Sequence, residues 1–168
     1  MKRRFCALIL LAVIVFALAG CGLTVERPEV KEGEFNFSVT YEINGETKRI
    51  SGVYVCEYDG IDRVLDGVDH REWKGYIKDG AIEECIVLST AEDGGVVELN
   101  LHFAPEYFMG EFYGDDDEPF SPSITVRLED EEGLRFENDA DFIAEVYGAK
   151  IISYEYDRPI ENSFSLFN

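Results

Sequence analysis

The chain has 168 residues, with 35 Asp and Glu against 15 Lys and Arg, and a formal net charge of −20. That balance excludes a nucleic-acid binder, which needs clustered basic side chains to neutralise phosphates, and docking on anionic headgroups, which attract polybasic segments. The 12 Phe, 9 Tyr and one Trp exclude a disordered acidic chain, a class poor in aromatics.

Residues 1–21 read MKRRFCALILLAVIVFALAGC. Lys2, Arg3 and Arg4 form a basic head, residues 5–18 an apolar run, and Leu18-Ala19-Gly20-Cys21 a small-residue exit, the order of a secretory signal peptide. Leu18-Ala19-Gly20-Cys21 resembles the lipobox of bacterial lipoproteins. The resemblance implies cleavage before Cys21, a diacylglycerol on the Cys21 thiol and, in many species, acylation of the new amino group. Two or more acyl chains hold a protein stably where one does not. The alternative is an uncleaved transmembrane helix over residues 5–23, which is long enough to span, with the basic head in the cytoplasm. Both readings leave the remaining chain on the extracytoplasmic side. The expected division is signal peptide 1–20, lipidated Cys21 and tether 21–34, and a single β-rich domain 35–168. Removing residues 1–20, which hold three basic and no acidic side chains, takes the net charge from −20 to about −23. The acyl anchor must then attach the chain unaided. In composition alone, residues 22–168 resemble small acidic lipoproteins of Gram-positive gut bacteria.

Residues 22–34 are polar, with Pro28 and Gly33. Phe35, Phe37, Val39, Tyr41 and Ile43 then alternate with polar residues, the period of a half-buried strand. Asn44-Gly45 predicts a type I′ turn. The return strand runs from 46 to about 58, setting Val39 opposite Ile50, Phe37 opposite Gly52 and Phe35 opposite Tyr54. Asp59-Gly60 closes that hairpin, and residues 61–71 read as irregular. A second hairpin is expected around Asp79-Gly80, with Ile77 opposite Ile82 and Trp73 opposite Ile86. Val97, Leu99, Leu101 and Phe103 form the next alternating strand.

Residues 104–122 suggest a packed loop or short strand. Ile124, Val126 and Leu128 form another strand, and Gly133 turns into residues 134–137. One helix follows, capped by Asn138 or Asp139, with Phe142, Ile143, Val146 and Tyr147 on one face and Gly148 ending it. Residues 149–156 form a strand, and 163–168 pair at an edge. The sum is mainly β: an antiparallel β-sandwich or partly open barrel of about eight or nine strands with one helix near the C-terminus.

Candidate sites are few. Cys56 and Cys85 suit a disulfide in an oxidising compartment, or two free thiols; their spacing and the lack of a nearby His argue against zinc. Asp115, Asp116, Asp117 and Glu118 offer carboxylates for calcium, but lack the alternating spacing that wraps an ion. Trp73, Tyr107, Phe108, Phe112 and Tyr113 are candidates for an aromatic ligand patch, or for core. His70, in an expected loop, and His102, on the outward phase of its strand, sit near no Gly-x-Ser-x-Gly elbow or His-Glu-x-x-His. No cofactor is implied. The expected function is a lipid-anchored extracytoplasmic module, non-enzymatic, contacting another envelope protein. The alternatives are a calcium or small-ligand binder and, further off, a hydrolase.

Overall fold

In the computed structural model, which describes residues 25–63, 69–80, 82–111, 118–130 and 133–165, the first hairpin pairs in the expected register. Strand β1 is Arg27–Pro28, β2 is Glu32–Ile43 and β3 is Glu46–Arg63. Across β2 and β3, Val39 faces Ile50, Phe37 faces Gly52 and Phe35 faces Tyr54. Asn44 (φ 53°) and Gly45 (φ 79°) both take the left-handed conformation a type I′ turn needs. A Cβ at Gly52 would lie 2.9 Å from the Phe37 ring, so the glycine makes room for the aromatic.

β3 runs past the expected end at Tyr58. A bulge between Tyr58 and Gly60 re-aims it, with Gly60 at φ 123°. It then pairs with β4, Asp69–Ile77. The described parts of the stretch expected to be irregular, residues 61–63 and 69–71, are therefore strand, and His70 is paired with Asp62. The second expected hairpin does not form. The Asp79-Gly80 turn is present, both residues at positive φ, but it carries the chain into the other sheet. β4 pairs with β3, setting Ile77 against Tyr54, while β5 (Cys85–Thr90) pairs with β6 (Val96–Phe103). A tight turn fixes a local reversal; burial decides what the next strand pairs with.

After β6 come the short helix α1 (Pro105–Phe108), β7 (Phe120–Asp130), β8 (Gly133–Glu137), helix α2 (Ala140–Tyr147), β9 (Ala149–Tyr156) and β10 (Phe164–Ser165). The described residues make two four-stranded antiparallel sheets, β4-β3-β2-β9 and β5-β6-β7-β8, and a ribbon, β1-β10. The sheets face each other as a sandwich over a shared core. Phe35, Phe37, Val39, Tyr54 and Cys56 come from the first sheet; Val97, Leu99, Leu101, Phe120 and Val126 from the second. Phe103 joins them, its ring stacked 4.0 Å from Tyr54 and 4.6 Å from Phe120. Each fully buried side chain of this kind stabilises by about 1.5–3 kcal/mol.

The ends differ from expectation in two ways. Arg27–Pro28 is paired with Phe164–Ser165, and β2 begins at Glu32. The described part of the expected tether, from residue 25, is thus part of the fold, and Phe164–Ser165 of the tail pairs with β1 in a separate two-stranded ribbon rather than at the edge of a larger sheet. On α2, Asp139 caps the helix by accepting the Phe142 N–H at 2.9 Å, and Gly148 ends it at φ 62°. Only Ile143 and Tyr147, one i,i+4 stripe, are buried; Phe142 and Val146 sit a step around the helix and stay exposed.

Candidate functional site

Those expected site residues that are described do not converge. Cys21, Phe112, Tyr113, Asp115, Asp116 and Asp117 lie outside the described residues. Glu118 accepts the Tyr154 hydroxyl at 2.9 Å. Phe108 is not part of a surface patch: it is fully buried, its ring 4.6 Å from Phe35. Helix α1 turns it inward, as a core residue. Trp73 is half-buried and its indole N–H donates to Glu111 Oε2 at 2.8 Å. Tyr107 is half-buried on α1.

Cys56 and Cys85 are free thiols in this structure, the second of the two alternatives. Cys56 is buried between Gly33 and Gly75 on the inner face of β3, and Cys85 is exposed opposite Asn100 on the second sheet. Its neighbours in register, Leu99 and Leu101, point inward, so Cys85 points out. Burial, and then the Glu106 carboxylate, push the Cys56 thiol up to about 12. Burial likewise raises Cys85. Neither is a thiolate at neutral pH, the form needed for nucleophilic attack. His102 Nε2 lies 3.1 Å from Ser123 Oγ, exposed on the outer face of β6 and β7.

A cluster that the sequence reading missed gathers around Arg71. Its Nη2 lies 2.6 Å from Glu111 Oε1, with only 18% of the arginine side chain and 9% of the glutamate exposed. Nη1 donates to the Glu26 carbonyl at 2.9 Å, and the guanidinium stands 4.3 Å from the centre of the Phe164 ring, a cation–π distance. With Trp73 on the same carboxylate, four segments meet. Asn162 reinforces them: its side chain donates to the Val30 and Met109 carbonyls and accepts the Val30 N–H. The signal was the i,i+2 spacing of Arg71 and Trp73 on one strand face, hidden by reading residues 61–71 as irregular. This clasp fixes the chain at Glu26, five positions after Cys21. Those residues reach at most about 17 Å.

Two of the concave places on the surface differ in how their polar groups are satisfied. On the outer face of the first sheet, a trough of about 550 Å³ is lined by Asn36, Ser38, Arg49, Ser51, Glu155 and Asp157. Its polar groups pair with one another. Arg49 donates to Ser38 at 2.9 Å and stands 3.5 Å from Glu155; Asn36 donates twice to Asp157. The second place is a cleft of about 600 Å³ between α2 and the β5–β6 turn, lined by Asn44, Glu92, Asp93, Glu145, Val146 and Tyr147 among others, with no Lys or Arg in its lining. Asp93 ties its walls together. Oδ1 accepts the Gly95 N–H and Oδ2 the Tyr147 hydroxyl, both at 2.9 Å. Those two bonds, the Gly95 one first, hold the Asp93 carboxyl below its ordinary range. Burial, and then Asp93, raise the Tyr147 hydroxyl.

Clasp and cleft lie at opposite ends of the first sheet. Asn44 sits at the β2–β3 turn, whereas Arg71 pairs with Ile61 near the far end of β3. From Glu46 to Ile61 the strand path is about 50 Å at 3.3 Å per residue. Compared with protein-family models, curated protein sequences and solved structures, the chain matches none.

Proposed function

We propose that this chain is a lipid-anchored extracytoplasmic protein whose β-sandwich is a non-enzymatic binding module held close to the membrane. The observation that carries the reading is the clasp on Glu26. A lipid on Cys21 needs a short, secured connection if it is to place a domain rather than merely retain it. Arg71, Glu111 and the β1–β10 ribbon supply that connection. The surface charge supports the same reading, because a domain near −23 is repelled by anionic headgroups and Cys21 must attach it alone. The histidines support a non-enzymatic role. His70 is tied into the β3–β4 ladder and His102 meets the Ser123 hydroxyl on the outer sheet face, whereas general-base catalysis needs a positioned substrate.

Mass spectrometry of the intact protein from the membrane fraction tests this. The expected mass is that of a chain starting at Cys21 with diacylglycerol attached. A protein that retains residues 1–20 overturns the lipid anchor in favour of the uncleaved helix.

A further inference from the structure

We infer that the cleft beside α2 docks a cationic, apolar-bearing segment of a partner protein. The inference deepens the reading of the domain as a binding module and does not depend on how the chain is anchored. Three observations carry it. First, α2 buries only two of its four large apolar side chains, Ile143 and Tyr147: Phe142 is 43% exposed and Val146 54%. Their i,i+4 spacing puts them side by side, and Val146 itself lines the cleft. Large apolar side chains of this kind form the anchors of interfaces.

Second, the charge around them has one sign. Glu92, Asp93 and Glu145 line the cleft, Asp139 and Asp141 open the same helix, and no basic side chain lines it. A cationic segment is complementary, and the net charge of the whole domain steers it there. The trough on the other face lacks this character, because Arg49 and Glu155, and Asn36 and Asp157, already satisfy one another. Third, the cleft is preformed. The Tyr147–Asp93–Gly95 bonds join helix to turn, so a partner need not pay to order them.

Binding of a fluorescent 14-residue peptide of alternating Lys-Lys and Leu-Phe pairs to the full chain in phosphatidylcholine nanodiscs tests the inference, with empty nanodiscs as baseline. Phe142 and Glu145 are exposed, so Phe142→Ser and Glu145→Lys leave the core intact, as unchanged melting temperatures verify. Glu145→Lys is expected to weaken binding about tenfold, and Phe142→Ser about fivefold. Glu32→Lys, the same charge change at the opposite end of β2, is expected to alter it less than about twofold. An all-lysine peptide of equal length is expected to bind about tenfold more weakly. The inference is overturned if the wild-type chain does not bind, if Glu32→Lys weakens binding as much as Glu145→Lys, or if Phe142→Ser has no effect. Any of those results leaves the Cys21 mass measurement, and the anchor it tests, untouched.

Discussion

Arg71 of β4 and Glu111 after α1 meet at 2.6 Å with both side chains largely out of water. Pairs in such settings are asymmetric in their energetics. Removing one partner strands a buried charge and costs about 3–5 kcal/mol, whereas replacing both with apolar residues is often neutral. Urea unfolding of Arg71→Ala and Glu111→Ala should each show a loss of that size, and Arg71→Met with Glu111→Leu together should recover most of it. Arg71→Ala should also expose the peptide bonds after Glu26 and Glu29 to Glu-C, because the Glu26 carbonyl loses its donor.

Gly75 on β4 faces the ring and hydroxyl of Tyr54, and a Cβ there would run into both. Gly45 has open space around it but needs φ 79°. Alanine scanning of the two glycines separates crowding from backbone strain. Gly75→Ala should cost about 2–3 kcal/mol through overpacking, and Gly45→Ala about 1 kcal/mol. Equal losses in a thermal melt would contradict the close approach at Gly75.

Asp93 couples stability to pH. Its folded pKa is depressed, chiefly by the Gly95 N–H and then by Tyr147. The contribution is therefore fully present above the ordinary carboxylate range, and is lost as pH falls through the lower folded value. Melting temperature measured from pH 7 down to pH 3 should fall less steeply for Asp93→Asn than for the wild type. In the same variant the Tyr147 hydroxyl, relieved of the Asp93 negative charge, should ionise at lower pH by ultraviolet titration.

The two thiols should be distinguishable by alkylation. At pH 8 iodoacetamide should label Cys85 in the native protein and leave Cys56, which is buried with its thiol pushed up to about 12. In denaturant without reductant, both should react. Labelling of neither cysteine in denaturant until reductant is added would show a bond absent from this structure.

The parts of this fold legible in the sequence are those where neighbours along the chain are also neighbours in space. Alternation from Phe35 to Ile43, the Asn44-Gly45 turn and the Gly52 gap for Phe37 specify one another within twenty residues, and the register follows. Asp139 and Gly148 mark α2 in the same local way. Asp79-Gly80 shows the limit. Its turn forms, but whether Ile82 goes back along β4 or across to the second sheet depends on what else covers Gly52, and that is a tertiary matter. Phe108 looked equally suited to surface or core because aromaticity carries no direction. The Arg71 clasp was illegible for the same reason: its partners Glu26, Glu111 and Phe164 are scattered across the chain.

The pairing of Arg27–Pro28 with Phe164–Ser165 brings the first and last of the described strands side by side, with a practical outcome for anyone labelling this protein. On a chain anchored through Cys21, a fluorophore or affinity tag fused behind Asn168 starts out in the gap between domain and bilayer, where antibodies and beads reach poorly. A short epitope inserted at the Asn44-Gly45 turn emerges from the opposite pole, in open solution.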